Sequence, residues 1–251
     1  MEFDDDLNAC AAIVEKGDPP RFRTVMAAPV PARAKLFPLY AFNVEVTRAP
    51  WVTEEPMIAE MRLQWWRDAL AEIKAGGVVR RHEVVTPLAT LLDAETVDLL
   101  DELVAARRWD CYRDPFENAA HLDQYLQATS GNLMQVACHL LGNPKAPGLK
   151  AGYGLGVASW LLACPELEAQ NRVPLVDGTA DGIRKLARSG LTALQQARVP
   201  FAGAVLPAFW PASGAEKVLK AAIRGPHRVA RGTLPRPGRA VFALKALLGR
   251  K

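Results

Sequence analysis

The chain has 251 residues, of which 50% are hydrophobic and 23% charged, with a formal net charge of +4. That length suits a single domain with a substantial core, and the composition excludes a disordered chain or a modular array, since no Gly/Ser linker or internal repeat divides it. The longest uncharged stretches, 151–165 and 199–215, fall short of the roughly 20 apolar residues that span a bilayer, so no transmembrane helix is expected.

Apolar spacing is helical along nearly the whole chain, and no alternating β-branched run is bounded by turns, so the expected class is all-α. The acidic start Met1-Glu2-Phe3-Asp4-Asp5-Asp6 is unlike a basic targeting leader, and a cytoplasmic location is expected. Helices are expected over 4–16 and 31–48. Ile58, Met61, Trp65, Ala69 and Ile73 then step by three and four, predicting an amphipathic helix from near Pro56 to just before Gly76-Gly77. A further helix is expected over 95–112. Leu122, Tyr125, Thr129, Leu133, Val136 and Leu140 mark one long helix that ends near Gly142-Asn143-Pro144. Helices over 149–170 and 179–197 complete the regular part, and the pattern weakens beyond Pro200.

Gly225 to Gly238 carries Pro226, Pro235 and Pro237 among arginines, which predicts an extended basic connector. Val241 to Leu248 reads as a short terminal helix with an apolar face. The domain reading is therefore a helical unit over 1–224 followed by a connector and terminal helix over 225–251. From Gly182 onward there are 14 Lys or Arg against the single acid Glu216, whereas residues 1–181 hold 17 basic and 26 acidic residues. Such a segment suits an anionic membrane surface or an acidic partner. No recognised nucleic-acid motif accompanies it, so no nucleic-acid partner is expected.

Candidate chemistry is sparse. Cys10, Cys111, Cys138 and Cys164 lack C-x-x-C spacing and sit in apolar surroundings, as buried free thiols do. The four histidines, His82, His121, His139 and His227, form no ligand array. Asp98 with Glu102, and Asp110 with Asp114, have i,i+4 spacing; the first pair lies in a polar stretch that reads as a solvated helix face, and Asp110 follows Arg107-Arg108, where ion pairing is the simpler role.

The segment Leu39-Tyr40-Ala41-Phe42-Asn43-Val44-Glu45-Val46-Thr47-Arg48-Ala49-Pro50-Trp51 resembles the first active-site helix of the squalene/phytoene synthase family. Arg62-Leu63-Gln64-Trp65-Trp66-Arg67-Asp68, Tyr125 through Thr129-Ser130-Gly131, and Arg172 resemble later landmarks in the same order. The resemblance implies a single-domain isoprenoid-synthase-like bundle around a central cavity. In that family an aspartate-rich motif follows the first helix and a second lies on a later helix, and together they hold magnesium against prenyl diphosphates. Here Thr47, Arg48 and Trp51 stand at the first motif, while Glu166 and Glu168 near the second are two apart and point away from each other on a helix. Carboxylate oxygens are what Mg²⁺ requires, so no cofactor is expected unless the protein is an active enzyme. Residues 41–45 with 56–67 resemble the branch that includes the mitochondrial respiratory complex I assembly factor.

The reading that follows is a non-catalytic relative, binding an isoprenoid or other lipid or assisting respiratory-complex subunits, peripheral at the inner face of the membrane. The alternatives are an active prenyl transferase that condenses isoprenoid diphosphates, with Mg²⁺ as cofactor, and an anionic-membrane binder acting through the basic end. The residues expected near the cavity are Tyr40, Asn43, Glu45, Arg62, Trp65, Tyr125, Gly131 and Arg172. No catalytic or metal-ligating residue is assigned.

Overall fold

Helix starts follow capping chemistry written in the sequence. In the computed structural model, which describes residues 4–198 and 203–236, the Asp4 carboxylate accepts the Leu7 N–H at 2.9 Å and opens α1 (Asp5–Gly17). Asp18 accepts the Arg21 N–H at 3.0 Å and opens α2 (Pro19–Met26), whose prolines occupy the first turn, where their missing N–H costs nothing. The long helix α3 (Val30–Arg48) gives way to a 3₁₀ turn, Ala49–Trp51, at Pro50. α4 (Pro56–Ala75) stops at Gly76, whose φ of 69° is the left-handed C-cap conformation glycine adopts without steric cost.

α5 (Val85–Ala89) is short, and α6 (Ala94–Ala106) begins with a capping box between Asp93 and Thr96. A 3₁₀ turn, Arg107–Cys111, follows. α7 (Ala119–Leu126) runs through a π turn at Gln127–Gly131 into α8 (Asn132–Leu140). α9 (Gly148–Ala169), α10 (Ala180–Gln196), α11 (Leu206–Phe209), α12 (Ala215–Arg224) and α13 (His227–Ala230) complete the described chain, which contains no strand.

Two large apolar cores result, beside a small cluster of Met134, Ala151 and Ala197. Leu36, Phe42, Leu63, Leu103 and Val136 join α3, α4, α6 and α8 in the first. Leu126, Val157, Leu161, Ile183 and Leu219 join α7, α9, α10 and α12 in the second. Each buried Leu or Phe of this kind contributes about 1.5–3 kcal/mol. α9 lies against both neighbours through glycines: a Cβ on Gly152 would lie 2.4 Å from the Ser130 carbonyl oxygen of the π turn, and one on Gly154 2.7 Å from the Gly190 carbonyl oxygen of α10.

Four expectations change. α2 and α5 lie where no helix was expected. The expected helix over 95–112 ends at Ala106, because Arg107–Cys111 tightens to 3₁₀ geometry. The expected single helix through Leu122 and Leu140 carries a π turn, with the Thr129 hydroxyl donating to the Tyr125 carbonyl at 2.7 Å. The basic stretch from Gly225 is not extended throughout: α13 forms within it, and Val229 and Leu234 bury themselves in the second core. Val241 to Leu248 lies outside the described residues.

Candidate binding cavity

A cavity of about 440 Å³ opens between the two cores. The last turns of α3 supply Asn43, Val44, Thr47 and Arg48, and the next turn supplies Trp51. Opposite them, α9 presents Gly156, Ser159, Trp160, Ala163 and Leu167. Asp18 and Arg21 enter from the start of α2, and Arg107 and Asp110 from the 3₁₀ turn after α6.

A buried polar network forms one wall. The Tyr125 hydroxyl donates to Asp110 Oδ1 at 2.9 Å, and Arg107 Nη1 donates to Asp110 Oδ2 at 3.0 Å and to the Tyr125 oxygen at 2.8 Å. Burial pushes the Tyr125 phenol well above its ordinary value; the Arg107 charge opposes this and the Asp110 charge adds to it, so the phenol stays protonated and donates. Burial pulls the Arg107 guanidinium down, but Tyr125 and Asp110 outweigh it and hold the group charged. Behind this wall Trp109 stacks on Phe116 at 4.0 Å, with Tyr125 and Trp160 edge-on to Phe116.

The other cavity arginines are also matched. Arg21 bonds Asp18 at 2.6 Å, and Arg48 reaches Glu45 at 3.3 Å. Two lining residues keep a buried polar atom with no protein partner: Thr47 Oγ1 and Arg107 Nε.

The expected cavity residues divide among five places. Asn43 and Tyr125 line the cavity. Arg172 lies one layer out, 8% exposed: it donates to the carbonyls of Tyr112 at 2.7 Å and Asp110 at 2.6 Å and stacks on Trp51 at 4.5 Å. Tyr40 is one turn deeper than Asn43 and Val44, buried in the first core beneath the Arg21 guanidinium at 5.3 Å, so the helices of Tyr40 and Tyr125 both border the cavity but Tyr40 does not line it. Glu45, Arg62 and Trp65 line a separate groove of about 500 Å³ between the end of α3 and α4. Gly131 packs against the Leu149 backbone, where an added Cβ would meet the carbonyl oxygen at 3.2 Å.

Sequence reasoning missed Asp18, Arg21 and Arg107 as cavity residues. The signal for the first two was the Asp18-Pro19-Pro20-Arg21 helix start, which holds an acid and a base at one helix entry. Asp110 and Asp114 do not form an i,i+4 pair on a helix: Asp110 is buried in the 3₁₀ turn, and Asp114 is exposed beyond it. Asp98 pairs with Lys74, and Glu102 accepts from Asn132 at 2.9 Å, both on an outer face.

Among the described residues no three His, Cys, Asp or Glu side chains gather where they could hold a metal ion. The carboxylates that line the cavity, Asp18 and Asp110, are each engaged by an arginine. These residues do not fit a magnesium–diphosphate site, which needs free carboxylate oxygens. Cys10, Cys111, Cys138 and Cys164 are buried and unpaired, and burial pushes their thiols up, to about 11 for Cys111 and about 12 for the other three.

The family model for squalene/phytoene synthase matches residues 14–176. The chain belongs to this family. Its relatives include the Drosophila melanogaster homolog of NADH dehydrogenase (ubiquinone) complex I, assembly factor 6, 28% identical over 181 residues, covering 66% of this chain and 53% of that protein. The Homo sapiens protein of that name is 22% identical over 167 residues, covering 62% of this chain and 47% of its own length. The chain thus spans about half the length of the curated relatives it matches. A crystal structure of a dehydrosqualene synthase in complex with ligand superposes with a TM-score of 0.61 at 15% identity, covering 98% of this chain and 83% of that one. The helical bundle therefore has the fold of an isoprenoid synthase.

Proposed function

We propose that the chain is a non-catalytic member of the squalene/phytoene synthase family that assists the assembly of respiratory complex I and keeps its cavity for binding a lipid. One observation carries the reading: every cationic side chain that lines the cavity is paired with a carboxylate, and Arg48 occupies the end of α3 where a metal-dependent enzyme needs carboxylates. The assembly role is supported by the similarity to complex I assembly factor 6 proteins. Two measurements test it. Purified protein incubated with Mg²⁺ and labelled farnesyl or geranylgeranyl diphosphate is expected to release no pyrophosphate; product that vanishes on chelation would overturn the non-catalytic half. Deletion in the native host is expected to lower NADH:quinone oxidoreductase activity of membranes and the amount of assembled complex, and unchanged levels would overturn the assembly half.

A second reading adds to the first: attachment to the inner, cytoplasmic face of an anionic membrane through the basic end. It is favoured by Lys185, Arg188, Lys217, Arg231 and Arg236, which are exposed and make no ion pair among the described residues. Each well-placed cation near such a surface is worth about 1 kcal/mol. Sedimentation with phosphatidylserine vesicles at low and high salt tests it, and equal recovery of the intact chain and one truncated after Gly238 would remove the tail from the account.

A further inference from the structure

We propose that the cavity holds an uncharged amphiphile, a long apolar chain that ends in a carbonyl or hydroxyl head, and discriminates against the same chain ending in a diphosphate. The inference names the ligand class for the non-catalytic reading and rests on it. Three observations lead there: a balance of charge, a surplus of donors, and an apolar wall.

Charge comes first. Arg21 faces Asp18 at 2.6 Å, Arg107 faces Asp110 at 3.0 Å and Arg48 faces Glu45 at 3.3 Å, so three cations meet three carboxylates. A multiply charged head entering this space would find no free counter-charge, and a charge left uncompensated away from water is strongly disfavoured. Only Arg48, whose side chain is 59% exposed and whose pairing is the longest of the three, could be drawn away. An uncharged head meets no such penalty.

Donors come second. Among the lining residues Thr47 Oγ1 and Arg107 Nε are buried polar atoms without a protein partner. Both can donate, and a buried donor without an acceptor is a deficit that a ligand oxygen removes. A carbonyl or hydroxyl oxygen supplies that acceptor without bringing charge.

The remaining wall suits a chain. Leu126, Leu133, Ala163 and Leu167 line it, and Gly156 keeps it open beside the π turn, because a Cβ there would lie 2.9 Å from Ser130 Cβ. The volume of about 440 Å³ falls within the roughly 300–1,000 Å³ of sites that enclose small amphiphiles.

The test is a series with one tail and different heads. Farnesol, farnesal and farnesyl diphosphate compete, with and without Mg²⁺, against a dansyl-labelled farnesyl ether whose binding is read by energy transfer from tryptophan, Trp160 lying in the cavity wall. The alcohol and aldehyde are expected to displace the probe about tenfold more tightly than the diphosphate, with no effect of Mg²⁺. Glu45→Gln frees Arg48 and is expected to raise diphosphate affinity by about tenfold, the scale of one charge-assisted hydrogen bond, while leaving the alcohol unchanged. Ala163→Phe is expected to abolish binding of every head by filling the tail space, with helicity checked by circular dichroism.

A diphosphate that binds as tightly as the alcohol, or tightens with Mg²⁺, would overturn the proposal. So would a Glu45→Gln variant with unchanged preference, or failure of every farnesyl compound to bind the folded protein. None of these outcomes bears on complex I levels in the deletion strain, so the ligand class and the assembly role fail separately.

Discussion

Two depressions flank the end of α3, and Arg48 borders both. The cavity is electrically complete: its arginines are paired, and Asp110, Arg107 and Tyr125 bond one another away from water, with Arg107 Nε left over. The groove beside it is open. Met61 stands 67% exposed, Ile58 is 40% exposed, and Arg62 has no hydrogen bond or ion pair among the described residues. The comparison shows that one helix end serves two environments with different rules: buried charge demands a partner, whereas surface charge and apolar side chains tolerate substitution.

The largest expected effect breaks the cavity side. Asp110→Ala would strand the Arg107 guanidinium and remove the acceptor of Tyr125, and such losses cost about 3–5 kcal/mol. Urea unfolding reads it directly. The double change Arg107→Met with Asp110→Leu is expected to recover the part of that loss due to the stranded charge, while the Tyr125 hydroxyl remains without its acceptor. A cost for Asp110→Ala no greater than that of Arg62→Ala would end the contrast.

Next in size is Gly152→Ala on the helix that forms the opposite wall. Its new methyl would lie 2.4 Å from the Ser130 carbonyl oxygen and 2.7 Å from the Gly131 Cα, so α9 must shift, at about 1–3 kcal/mol. A lower melting temperature is expected, and an unchanged one would show that the π turn can yield.

A pH titration sharpens the same contrast. The thiols of Cys10, Cys138 and Cys164 are pushed up from 9.0 to about 12, chiefly by burial, so the folded state favours their protonated form. Their contribution is whole below pH 9 and is lost as pH rises toward 12. Tyr40 and Tyr125, also raised by burial, act in the same direction at still higher pH. The urea midpoint should therefore fall steadily above pH 9, and a flat profile would contradict the burial of these groups. The smallest effect belongs to the groove: Met61→Asp and Arg62→Ala are each expected to change stability by less than about 0.5 kcal/mol.

Much of the fold was legible because amphipathic spacing and caps are local. Asp4, Asp93 and Thr179 each start a helix by accepting an N–H from their own first turn, and Gly76 ends one by its left-handed backbone. The site was legible only in part. Asn43 and Tyr125 line the cavity, whereas Tyr40 sits a turn deeper, and Glu45, Arg62 and Trp65 face the neighbouring groove. Periodicity assigns a residue to the inner face of a helix, and it does not say which of two adjacent spaces that face meets.

The sequence by itself determined the all-α class and the family, because residue identity and short-range spacing carry that information. Only the tertiary structure decided that Asp110 belongs to Tyr125 and Arg107, that Arg172 ties the 3₁₀ turn to Trp51, and that the cavity's charges cancel. Tyr125 is 15 residues from Asp110, and Arg172 is 62. Such contacts depend on how α6, α7 and α9 pack, and no local pattern encodes them.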